Sequence, residues 1–119
     1  MRAFRLTSFD TAPTVEDIDT PSPGQGEALV RIAACGLNFA DLLMLKGSYQ
    51  DTPEPPFTMG MEIAGTVEAL GPDTDGPAPG TRVAVFAGQG GLAEAGCFPV
   101  DRMTPIPDSM SFEAAAGFL

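Results

Sequence analysis

Fourteen glycines and twelve prolines cut this 119-residue chain into short apolar runs. Punctuation that dense suits many short strands joined by turns better than long helices. Parallel strands need crossovers of a dozen or more residues, usually helical, and the spacing leaves no room for them. Residues 2–6, 14–18, 27–35, 61–70, 81–87 and 92–100 read as strands from their β-branched and apolar content. Residues 20–26, 53–57 and 73–80 read as loops, and Gly71-Pro72 ends the 61–70 strand. Residues 88–91 read as a hairpin turn into a returning strand, and Pro105 and Pro107 frame a linker.

One short helix opens at Asn38. Phe39, Leu42 and Leu43 keep helical spacing, which predicts that they share a buried face. Asn38 is expected to cap this helix through its side-chain oxygen, with Asp41 favourably placed in the first turn. Gly47 follows the last turn and can take the left-handed position. Ser111 looks like the N-cap of a second helix over residues 112–119, with Glu113 in its first turn and no stop signal before the last residue. The architecture predicted is mainly β, Greek-key or barrel-like, with short helices. Residues 1–110 form the domain, and residues 111–119 begin a helix leading onward.

Composition excludes several functions. The 44% apolar content argues against disorder. The net charge of −10 argues against nucleic acid and against anionic membrane surfaces. No apolar run approaches the length of a transmembrane helix, and no charged segment precedes an apolar one at the start. A cytoplasmic location is the default expectation. Cys35 and Cys97 lie in apolar strands, which predicts buried free thiols. With no histidine, neither a Ser–His nor a Cys–His pair can exist. Gly88-Gln89-Gly90-Gly91-Leu92-Ala93 fits G-x-G-x-x-A, but Pro99 denies it the following helix, so a dinucleotide fingerprint is not expected there.

Several pieces fall in a fixed order. They are Gly36-Leu37-Asn38 with Asp41, Gly47-Ser48-Tyr49, Pro56-Phe57, Gly60-Met61-Glu62-Ile63-Ala64-Gly65, Gly71, Gly80-Thr81-Arg82-Val83 and Gly91-Leu92-Ala93-Glu94. The ordered set resembles the N-terminal GroES-like catalytic domain of the quinone oxidoreductase (zeta-crystallin-like) family, in the medium-chain dehydrogenase/reductase superfamily. Thr81 departs from the Asp usual in that family's Gly-Asp-Arg-Val turn.

The resemblance implies a GroES-like, partly open β-barrel that stops before a Rossmann domain. It implies hydride transfer from NADPH, or NADH, to a conjugated carbonyl such as a small-molecule quinone or enone. The nucleotide would be bound mainly by the domain that follows. Asn38 and Met61 stand where zinc-dependent members carry Cys and His ligands, so the resemblance implies no metal. An amide oxygen and a thioether are poor zinc donors, and Glu62 alone does not build a site. Asn38 and Tyr49 are the implied polarisers of the substrate oxygen, and Asp41 holds the loop and helix. Asn38, Phe39 and Leu43 are implied on the nicotinamide side. An exposed apolar patch is expected near the final helix, which leaves homo-oligomerisation open. A stand-alone scaffold or interaction module without catalysis is the second reading, and a zinc-type alcohol dehydrogenase the third.

Overall fold

The computed structural model describes residues 1–50 and 52–117. The described residues form eight strands: β1 (Arg2–Leu6), β2 (Thr14–Asp17), β3 (Glu27–Gly36), β4 (Phe57–Thr58), β5 (Glu62–Leu70), β6 (Arg82–Phe86), β7 (Ala95–Pro99) and β8 (Met103–Pro105). Two short helices accompany them, α1 (Phe39–Leu45) and α2 (Phe112–Ala116). The strands form two antiparallel sheets, ordered β2-β1-β4 and β7-β3-β5-β6-β8. Each sheet keeps two open ends, so the expected barrel is present only as a partly wrapped pair. The sheets are tied by an Ala3–Ala93 bridge and by the Phe4 amide donating to the Leu92 carbonyl at 2.7 Å.

The larger sheet buries a core of Val30, Ile63, Val67, Val83, Val85 and Phe98. Each such side chain contributes about 1.5–3 kcal/mol when taken fully from water. Alternation along β5 then decides where the site lies. Ile63 faces this core, while Ala64 packs with Ala115 and Ala116 of α2 in a second cluster. Successive strand residues point to opposite faces, so Glu62 lies on the face opposite Ile63. Its register partner on β3 is Gly36.

Several expectations need correction. Residues 88–91 do not turn a hairpin: β7 pairs with β3, three strands away from β6 in the sheet order. Alternating hydrophobicity identifies a strand but not its neighbour, and here the segment crosses over to the open edge of β3. The loop over 53–57 ends in β4, and the Pro105 linker contains β8, which pairs with β6 through Val85↔Met103. The α1 helix buries Asp41 and Met44 instead of Phe39 and Leu42, which are 72% and 57% exposed. Residues 39 and 41 lie about 200° apart around a helix. Seating Asp41 inward therefore turns Phe39 outward.

Leu37, Phe39 and Leu42 are among the exposed apolar side chains of the described residues. Ser111 caps α2 by accepting from the Ala114 amide at 3.1 Å. That helix ends at Ala116 with Gly117 as its C-cap. The rest of the expected 112–119 helix lies outside the described residues. No described helix is long and apolar enough to cross a membrane.

Candidate functional site

Where β3 leaves the sheet, the chain must turn into α1 within two residues. Asn38 takes the extended N-cap conformation, φ −128° and ψ 155°. Its backbone amide donates to Asp41 Oδ2 at 2.9 Å, and its carbonyl accepts from the Asp41 amide at 3.0 Å. The side chain of Asn38 reaches across to β5, donating from Nδ2 to Glu62 Oε1 at 3.1 Å. A carboxylate can only accept, so the amide nitrogen, not its oxygen, must face Glu62.

Three side chains from two elements are thus joined at one corner. Asp41 is 6% exposed and Glu62 is 4% exposed. Each accepts through one oxygen, while Asp41 Oδ1 and Glu62 Oε2 are buried without a hydrogen-bond partner. Charge-assisted bonds of this kind are worth about 1.5–3 kcal/mol, and leaving the other oxygens unpaired costs a comparable amount. Such a corner is built for geometry more than for stability.

Gly36 makes the approach possible. A Cβ there would sit 2.5 Å from Glu62 Oε1 and 2.6 Å from the Ala116 carbonyl oxygen. Only a residue without a side chain lets β3, β5 and the end of α2 meet. The neighbouring Cys35 thiol is pushed up to about 12, chiefly by burial and further by the negative charges of Asp41 and Glu62. Cys97 is raised to about 11 by burial and by Glu27. Both cysteines are free thiols and only partly buried, where full burial was expected.

Tyr49 lies just past α1, beyond Gly47, whose φ of +71° lets the chain leave the helix. It is half-buried against the cluster of Leu6, Met44, Phe57, Met59 and Met61. Met44 and Met59 fill core, as the sequence suggested. Tyr49 and Met61 line a cavity of about 360 Å³ together with Met44, Pro53 and Phe86. Asn38 and Asp41 are not among its lining residues. The structure therefore brings Asn38 to Asp41 and Glu62, and Tyr49 to Met61, with the β5 step from Met61 to Glu62 linking the two groups. Leu43 is half-buried and Phe39 stands out in solvent.

Glu62 is the residue that sequence reasoning undervalued, having weighed it only as a lone oxygen donor. Its signal was a carboxylate heading the apolar run Ile63-Ala64-Gly65. The donor set does not fit zinc. No three His, Cys, Asp or Glu groups among the described residues come together to hold a metal ion. The Asn38 amide is directed at Glu62, and Met61 is 3% exposed within the apolar cluster.

Residues 24–108 match the alcohol dehydrogenase GroES-like domain. A quinone oxidoreductase-like protein 2 homolog from Nematostella vectensis is 41% identical over 117 residues, covering 97% of this chain and 32% of that protein. Among solved structures, human synaptic vesicle membrane protein VAT-1 homolog-like protein superposes with a TM-score of 0.91 at 40% identity, over 98% of this chain and 38% of that one. The quinone oxidoreductase of Thermus thermophilus, also solved with NADPH, gives a TM-score of 0.84 at 38% identity, over 98% and 36%. The chain spans between 20% and 36% of the length of these curated relatives.

Proposed function

The chain belongs to the alcohol dehydrogenase GroES-like domain family of the medium-chain dehydrogenase/reductases, and from that premise we propose that it is the substrate-binding part of a zinc-independent quinone or enone reductase using NADPH or NADH. The observation that carries this reading is the Asn38–Asp41–Glu62 corner. Asn38 is held there by the Asp41 carboxylate through its backbone amide and by the Glu62 carboxylate through its side chain, so the residue at a ligand position is an amide engaged within the chain. The relatives named as quinone oxidoreductases support the reaction class.

The reduced nicotinamide supplies the hydride when bound. The substrate oxygen becomes negative as hydride arrives, so it needs hydrogen-bond donors aimed at it. The Tyr49 hydroxyl, on the cavity wall, is one donor. Asn38, outside the cavity lining, keeps a second N–H beyond the one given to Glu62, and on this proposal that N–H is the other donor. Asp41 fixes the backbone of Asn38. Phe39 and Leu43 offer apolar surface to the nicotinamide side, and the exposure of Phe39 leaves it free to do so. On this reading the fit to the cofactor is a flank only, and the phosphates are held by groups that this site does not contain. The proposed setting is cytoplasmic, with a small-molecule substrate and no nucleic acid or membrane partner.

The test is NADPH oxidation by the complete polypeptide with 1,4-naphthoquinone as acceptor. Tyr49→Phe and Asn38→Ala should each lower kcat at least about tenfold, as expected for loss of one donor to a developing oxyanion. Unchanged turnover in both variants would overturn the residue roles, and one zinc per chain by elemental analysis would overturn the metal-free reading. A polypeptide that oxidises no NADPH with any quinone or enone would favour the non-catalytic module.

A further inference from the structure

Six basic side chains serve this strongly acidic chain. Four have visible work to do. Arg2 and Arg31 pair with Glu94 and Glu68, Arg5 donates to Thr58, and Arg82 donates to two carbonyls while lying over Phe112. Lys46 is exposed just past α1, and Arg102 lines the Tyr49–Met61 cavity, the one cationic side chain among the described residues that does so.

The topology explains its position. Arg102 ends a 3-10 turn, Val100–Arg102, that leads directly into β8. In the β6–β8 ladder Val85 pairs with Met103, so one further step places Arg102 beside Phe86 at the cavity wall. The Met103 amide donates back to the Val100 carbonyl and holds that turn. Arg102 therefore stands on a braced backbone beside Phe86, in a lining that also includes Met44 and Met61.

These features serve two different parts of one molecule. Methionine and phenylalanine surfaces favour a flat unsaturated ring. A guanidinium presents a rigid fork of donors matched to planar or tetrahedral anions. In a domain of net charge −10, an anion gains little elsewhere on the surface. A cavity of about 360 Å³ is of the size that small ligands occupy.

We propose that Arg102 is a specificity-determining residue and that the cavity takes aromatic or quinonoid molecules bearing an anionic substituent, a carboxylate or a sulfonate, held against the guanidinium. This rests on the reductase reading only in naming the cavity's occupant as substrate. It is tested by binding alone, with unreactive probes.

Calorimetric titration of the complete polypeptide compares naphthalene-2-sulfonate with 2-naphthol, which is neutral at pH 7. The expected result is at least tenfold tighter binding of the sulfonate. In Arg102→Gln that ratio should fall to about one, and in Arg102→Lys a part of it should return. In the unsubstituted protein the preference should weaken as salt rises, as for any partly exposed ion pair. Equal binding of the two probes before substitution, no binding of either, or a ratio unmoved by Arg102→Gln would each overturn the proposal. A polypeptide that keeps the sulfonate preference but reduces no quinone would overturn the reductase reading and leave this one standing.

Discussion

The inner face of the five-stranded sheet and the Asn38 corner lie one residue apart on β5, yet they solve opposite problems. Ile63 is 0% exposed and sits among Val30, Val83 and Val85, all equally buried. Every group there finds its partner within the chain. Glu62, the preceding residue, is buried almost as fully but leaves one carboxylate oxygen unpaired, as does Asp41 beside it. Next to this polar interior, Leu37, Phe39 and Leu42 face solvent. The corner thus has polar groups inside and apolar groups outside, the reverse of what stability alone selects. One region is closed by apolar packing, and the other holds buried carboxylates beside exposed apolar side chains.

Substitutions at the two neighbours separate these roles most sharply. Ile63→Ala should lower unfolding free energy by about 2–5 kcal/mol, the usual cost of opening a cavity in a packed core, measured as a shift in urea midpoint. Glu62→Gln keeps an oxygen that can accept from Asn38 and removes a buried charge, so stability should change by less than about 1 kcal/mol. If Glu62→Gln proved as costly as Ile63→Ala, the corner would be an ordinary part of the core and the contrast would fail.

The smallest effect sharpens the comparison by pH. Cys35 lies beside the corner, and its folded-state value of about 12 lies above the ordinary 9.0. A raised thiol value means that the folded state holds its proton longer than the unfolded chain does. Its contribution to stability is therefore complete below pH 9 and declines as pH rises from about 9 towards 12. Cys35→Ala should flatten that part of the stability profile, and at neutral pH iodoacetamide should modify Cys35 slowly. Rapid alkylation at pH 7 would show that the acidic, buried surroundings do not reach the sulfur.

Much of the fold was legible because strand alternation and turn chemistry are local. The strands around 27–36 and 62–70 were recognisable from their apolar middles, and Ser111 and Gly47 announced helix ends. Pairing was less legible. That β7 joins β3 depends on which edge is open, and no local pattern carries that information. The α1 face was misread for a related reason. Helical spacing identifies a stripe of apolar residues, but α1 seats Asp41 and Met44 inward, which leaves Phe39 and Leu42 facing solvent.

The candidate site divides in the same way. Asn38, Asp41 and Tyr49 could be singled out as residues because polar side chains beside a strand end and a glycine are informative in one dimension. The bond from Asn38 to Glu62 spans 24 positions in sequence. It exists because β3 and β5 pair with Gly36 opposite Glu62. The local code determined the segments, their turns and the absence of imidazole chemistry, since these depend on residue type and short spacing. Tertiary structure alone decided which carboxylate holds the amide, which helix face meets water and which arginine reaches the cavity, because each is set by distances between segments that the chain joins only by folding.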